Sequence, residues 1–147
     1  MKVRTAQPRD LPSVSRLYFQ LNPARRRSGK ITGLKGSLRT RVFVAKEGRR
    51  VLGFAWANLV QYANTRVGYI DELYVQDPHR RRGIGSTLVT RALRWFAETE
   101  VEVVFVSTSA GDRAAQRFYH SLGFRRTRGP WFWWALSPGE QVTRSGD

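Results

Sequence analysis

The sequence predicts a mixed α/β domain, a largely antiparallel sheet covered by helices, on three observations. Runs rich in β-branched and aromatic residues recur, as in "VFVAKEGRRVLGFAWANLV" and "VGYIDELYV". Two stretches, opening near Ile84 and Asp112, switch instead to apolar spacings of three and four. A helical stretch also separates "VGYIDELYV" from the valine-rich "VEVVFVSTS", the βαβ arrangement that makes neighbouring strands parallel. A chain of 147 residues suits one domain, expected over residues 1–137, with 138–147 as a polar tail.

Taken in order, "KVRTA" reads as a short strand, and "DLPSVSRLYFQL" as a helix entered through Asp10 with Pro12 in its first turn, where a missing amide is harmless. "NPARRRSGKITGLKGSLRTR" is basic and rich in Gly, Pro and Ser, and its pattern fixes no conformation. A hairpin follows, turning at Glu47-Gly48, and then the strand "VGYIDELYV". From Gly83 onward Ile84, Leu88, Ala92 and Phe96 fall four apart, one buried stripe of a helix ending near Glu98. After "VEVVFVSTS" comes a second helix over "DRAAQRFYHSLGF", with Gly123 as its left-handed stop. "FRRTR" and "WFWWAL" predict a last strand pair, whose aromatic rings divide between core and an edge or homodimer surface.

Twenty-six Lys and Arg against eleven Asp and Glu give a net charge of +15, and residues 1–50 carry +12 of it. Such a field favours anionic partners: phosphates, carboxylate-bearing ligands or nucleic acid. Nucleic acid is disfavoured because no helix-turn-helix, zinc-finger or RNP-type pattern accompanies the charge. Without cysteine there is no disulfide, thiolate metal site or cysteine nucleophile, and two histidines alone build no metal centre. No apolar targeting segment or stretch of ~20 apolar residues is present, so we expect a cytoplasmic protein without a membrane span.

The stretch "HRRRGIGSTL", residues 79–88, leaves a strand and opens a helix. Amides at a helix start have no partner within the helix and sit at its positive end, so a phosphate suits them, and Gly83 and Gly85 permit close approach. Neither the dinucleotide pattern, which wants a third glycine where Leu88 stands, nor the P-loop fits. Together with "DRAAQRFYHSLGF", however, the loop resembles the GCN5-related N-acetyltransferase family. Arg80, Gly83 and Gly85 match its first signature; Asp112, Ala115, Phe118, Tyr119, Gly123 and Phe124 match its second, with Asp112 in place of the commoner asparagine.

That resemblance implies the acyl-CoA N-acyltransferase fold, with two parallel strands that splay apart, and acetyl-CoA as the acetyl donor. It implies that the pantetheine arm pairs with the strand holding Leu73, Tyr74 and Val75, and that the pyrophosphate rests on Arg81, Arg82, Gly83, Ile84, Gly85 and Ser86 beside Arg80. For Asp112 a cofactor contact and a helix N-cap are both open.

Acetyl transfer to an amine needs an uncharged nucleophile, a donor to the developing oxyanion and a proton for the leaving thiolate. A lysine amine is neutral about once in 2,500 at pH 7, a cost near ~4.6 kcal/mol, against ~1.4 kcal/mol for an α-amine. Glu72 is the candidate base, supported by the resemblance, although a surface carboxylate paired with arginine would look the same. Strict alternation would put Asp71 on the opposite side of the sheet. On its helix stripe Tyr119 reads as a core side chain with Phe118 and Leu122; the resemblance implies the proton donor instead. The Val75 amide is the simplest oxyanion donor. The basic N-terminal third favours a small amine acceptor carrying an anionic group, with the N-terminus of a protein or peptide as the alternative.

Overall fold

The computed structural model describes residues 4–129. Residues 4–110 belong to one compact unit and Gly111 onward to a second, and each is described by itself.

The first unit is a four-stranded sheet in the order β1-β2-β3-β4, with β1 at Ser37–Glu47, β2 at Arg50–Tyr62, β3 at Thr65–Val75 and β4 at Val103–Val106. The first three strands are antiparallel neighbours, and β4 joins β3 in parallel after the crossover helix α2, Ile84–Glu98. This is the mixed sheet the sequence predicts. The hairpin is present, but its two turn residues are Gly48-Arg49, one position later than expected, because Glu47 still pairs with Arg50; Gly48 is in the left-handed region (φ +59°).

Helix α2 buries most of the predicted stripe: Ile84 at the helix start is half-buried, while Leu88, Ala92 and Phe96 are buried, together with Val89 and Trp95. They meet Ala55, Ala57 and Leu59 of β2 and Ile70 of β3, which are also buried. The small alanines let the helix come close to the sheet, and Gly68 goes further. A Cβ at Gly68 would stand 2.9 Å from the Phe96 ring, so Phe96 lies flat on bare backbone. Burying a side chain of that size contributes about 1.5–3 kcal/mol. The helix ends at its predicted place, but with Glu100 rather than glycine in the left-handed conformation (φ +58°). The Glu100 amide donates to Ala97 and the Val101 amide to Phe96, a Schellman closure that satisfies the last carbonyls.

Helix α1 spans Leu11–Leu21, with Asp10 before it and Pro12 in its first turn as expected. The Tyr18 hydroxyl ties it to Thr65 Oγ1 (3.0 Å) at the start of β3. The segment whose pattern fixed no conformation opens with a 3₁₀ turn at Pro23–Ser28. Asn64, in the β2–β3 turn, donates through Nδ2 to the carbonyls of Arg25 and Gly29 and so holds that segment.

Two expectations fail within the described residues. Arg4–Ala6, the described part of "KVRTA", form no strand; Arg4 instead forks onto the Asp10 carboxylate, which also accepts from the Gln7 amide. That local ring holds Asp10 below the usual carboxylate range. Phe124–Arg128 form no strand either, and "WFWWAL", the partner on which that expectation depended, lies outside the described residues, as does the 138–147 tail.

Gly68→Ala should lower stability by about 1–3 kcal/mol through displacement of Phe96. Urea unfolding reads this as a lower midpoint at an unchanged slope.

Candidate active site

Strand β3 carries the site because its two halves are paired differently. From Val67 to Ile70 it is flanked on both edges, and the parallel ladder with β4 ends at Ile70–Val106. It then runs on to Val75, paired only with β2. The two parallel strands therefore part after Ile70, the splay that the family resemblance implies.

Backbone direction along this second half is fixed by its contacts. The Tyr74 carbonyl points at β2, where a Cβ on Gly53 would meet it at 2.6 Å. The next amide but one, Gln76, also points to β2 and donates to Leu52 (2.9 Å). Polar groups alternate between the two edges of a strand, so those of Leu73 and Val75 face the open edge. The Val75 carbonyl accepts there from Arg80 Nε at 2.9 Å.

Between Ile70 and Leu73 the strand contains one residue more than β2 can match. Ala57 pairs with Ile70 and Trp56 with Glu72, leaving Asp71 as a β-bulge. This corrects the expectation that Asp71 and Glu72 face opposite sides. Asp71 accepts from Asn58 Nδ2, on the face of the sheet away from α2, and Glu72 stands in register with Trp56 on that same face. Both carboxylates are exposed.

The loop that follows is braced by its own arginines. Besides holding Val75, Arg80 pairs with Asp77 (2.8 Å) and lies over the Tyr74 ring, contacts that brace the turn. Arg82 contacts His79 Nδ1 at 3.1 Å. Arg81 (φ +62°) and Gly83 (φ +76°) are both left-handed, which reverses the chain into α2. The first helical bond runs from the Thr87 amide to the Gly83 carbonyl, and the Thr87 hydroxyl donates to the same oxygen (3.0 Å each). The amides of Ile84, Gly85 and Ser86 precede that bond and meet no acceptor among the described residues, the donor array that a pyrophosphate requires. A cleft of about 390 Å³ lies between β1 and the start of α2, with Phe43 and Val44 on one side and Arg82, Gly83, Ile84 and Arg91 on the other; it does not include Leu73 or Val75 of β3.

In the second unit, α3 spans Arg113–Ser121. Asp112 is its N-cap: Oδ1 accepts from the Ala115 amide at 2.9 Å, the capping alternative for that position. Gly123 (φ +95°) closes the helix as predicted, its amide donating to His120 and that of Phe124 to Tyr119. Tyr119 is half-buried, edge-on to Phe118 (5.1 Å) and Phe124 (5.5 Å). Burial raises its phenol above 10, so it remains protonated throughout the neutral range. No group of side chains with metal-binding geometry occurs among the described residues.

A strand pair that splays beside an amide-rich helix start defines a class of acyl-CoA-binding transferases. Residues 11–124 match the Acetyltransferase (GNAT) family, and the chain belongs to it. Acetyltransferases of this family take their acetyl group from acetyl-CoA. The chain is 34% identical over 86 residues to N-alpha-acetyltransferase MAK3 of Arabidopsis thaliana, covering 58% of this chain and 45% of that protein. It is 32% identical over 87 residues to human N-alpha-acetyltransferase 30, covering 58% of this chain and 24% of the other. It thus spans less than half the length of either relative. An aminoglycoside N-acetyltransferase solved with CoA shares the fold, with a TM-score of 0.61 at 21% identity over 92% of this chain and all of that one. Among the described residues no helix is long and apolar enough to cross a membrane.

Gly85→Val should weaken acetyl-CoA binding tenfold or more, because a branched side chain blocks backbone approach to the pyrophosphate. Calorimetric titration with acetyl-CoA checks this, and unchanged affinity removes the loop from the binding site.

Proposed function

We propose that the protein is an acetyl-CoA-dependent N-acetyltransferase that transfers acetyl by direct attack to a primary amine, the α-amine at the head of a peptide. The observation that carries this reading is the open edge of β3, followed after the Arg80-braced loop by the unpaired first-turn amides of α2. Bound acetyl-CoA supplies the activated thioester. Leu73 pairs with its pantetheine arm through its amide and carbonyl on the open edge, while Ile84, Gly85 and Ser86 hold the pyrophosphate. The Val75 amide faces the gap and donates to the developing oxyanion.

Glu72 takes the proton from the amine through water, and Tyr119 returns one to the departing thiolate. The raised pKa of Tyr119 suits a group that must start protonated. Its sign is set by burial, which favours the neutral phenol: folding stability from this group is full below pH 10 and lost as pH rises through the higher folded value. Any alkaline limb of the rate that Tyr119 controls therefore lies above pH 10.

The charge near the reacting face supports an α-amine over an acceptor with an anionic neighbour. Asp71 and Glu72 share that face. Arg41, in register with Ala57 on the α2 side, lies over Trp95 (5.4 Å), and Arg25 is paired with Glu102. Relatives named N-alpha-acetyltransferase support the same choice.

Thiol release from acetyl-CoA, screened against peptides, acidic small amines and aminoglycosides, tests the reading; peptides with free α-amines should be fastest. Tyr119→Phe should lower kcat by up to about 10² with acetyl-CoA affinity unchanged. Glu72→Gln should lower kcat by about 10² or more with acetyl-CoA affinity unchanged. Parent rates in both variants would overturn the assigned roles.

A further inference from the structure

The bulge in β3 raises a question that core packing leaves open. Ile70 pairs with the buried Ala57 and Leu73 with the buried Ala55, so both point toward α2 although they are three residues apart. Strand side chains alternate, so one residue between Ile70 and Leu73 must be extra. Packing does not choose which. Either carboxylate could occupy the register position opposite Trp56, with the other displaced as the bulge.

A side-chain relay across three strands makes that choice. Thr40 of β1 donates through Oγ1 to Asn58 Oδ1 on β2, and Asn58 Nδ2 donates to the Asp71 carboxylate on β3. Thr40 is in register with Asn58, and Asn58 with Tyr69, so the relay reaches diagonally past the paired row to the extra residue. Once Asp71 is anchored, Glu72 is left in register with Trp56 on the open half of the strand.

We propose that Asn58, backed by Thr40, is a positioning residue: it fixes Asp71 as the extra residue of the bulge and thereby leaves Glu72 as the carboxylate at the reacting position. The inference rests on the proposed role of Glu72 as base. Asn58 must donate and Asp71 must accept, but the charge of Asp71 is not required. An amide at 71 still offers an oxygen to Asn58. Two carboxylates, as in Asn58→Asp, repel, whereas exchanging the two residues restores the relay: a carboxylate at 58 accepts from Thr40 and from an amide at 71.

The test is steady-state kinetics with acetyl-CoA and a peptide amine on Asn58→Leu, Asn58→Asp, Asp71→Ala, Asp71→Asn and the Asn58→Asp/Asp71→Asn exchange. Asn58→Leu, Asn58→Asp and Asp71→Ala should each lose roughly 10- to 100-fold in kcat, with the KM for acetyl-CoA within about threefold of the parent, the pattern of a misplaced catalytic group. Asp71→Asn and the exchange should stay within about threefold of the parent kcat. Asn58→Leu should add little to Glu72→Gln, since both act through one group. Independently of turnover, cross-strand proton contacts from Trp56 by NMR should reach Glu72 in the parent and divide between Asp71 and Glu72 in Asn58→Leu.

Parent kcat together with undivided Trp56 contacts in Asn58→Leu overturns the proposal, as does an exchange variant as slow as Asn58→Asp. If Glu72→Gln runs at the parent rate, the role of Glu72 fails instead, and the Trp56 contacts still decide whether the relay sets the bulge.

Discussion

Strand β3 is bound on both edges at one end and on one edge at the other, and the rest of the molecule depends on that asymmetry. As far as Ile70 it is an interior strand, with β2 and β4 satisfying its backbone. Beyond Ile70 its second edge has no strand partner, and the backbone groups of Leu73 and Val75 that face it are open to another partner. Arg80 satisfies one of them, the Val75 carbonyl. The others form an edge into which an amide-bearing chain such as pantetheine can hydrogen-bond as a strand would.

The core makes that edge rigid. Helix α2 is pressed onto β2 and β3 by Phe96 against the bare backbone of Gly68, two residues before the strands part. The same helix presents its first-turn amides beyond the end of β3. One helix therefore both packs on β3 and carries the first-turn amides, and the Arg80 contacts brace the loop that joins them. Binding to a preformed edge avoids much of the ordering cost that a mobile loop would impose.

Most of this was legible in the sequence where a period or a loop signature was long enough. The α2 stripe and the Gly123 stop stand where the pattern put them, and the hairpin turns one position later than expected. The bulge was missed, although its signal is present: in "GYIDELYV" the apolar pair Ile70 and Leu73 breaks the alternation, and strict period two cannot place both in the core. Arg80 reads in sequence as a phosphate ligand; that its Nε also holds the Val75 carbonyl while its Nη1 pairs with Asp77 is a tertiary contact no spacing reveals. The first strand was overread because Arg4 and Asp10 close a local ring that competes with pairing. Nor could spacing show that Asn64 holds the Pro23–Ser28 turn from 35 or more residues away.

The central claim is that the open edge of β3 receives the acetyl donor. Amide hydrogen exchange with and without saturating acetyl-CoA tests it residue by residue. Leu73 and Val75 should exchange at least about tenfold more slowly in the complex, while Tyr74, whose polar groups already face β2, changes little. Bound acetyl-CoA that leaves Leu73 and Val75 exchanging at their free rates would contradict the account.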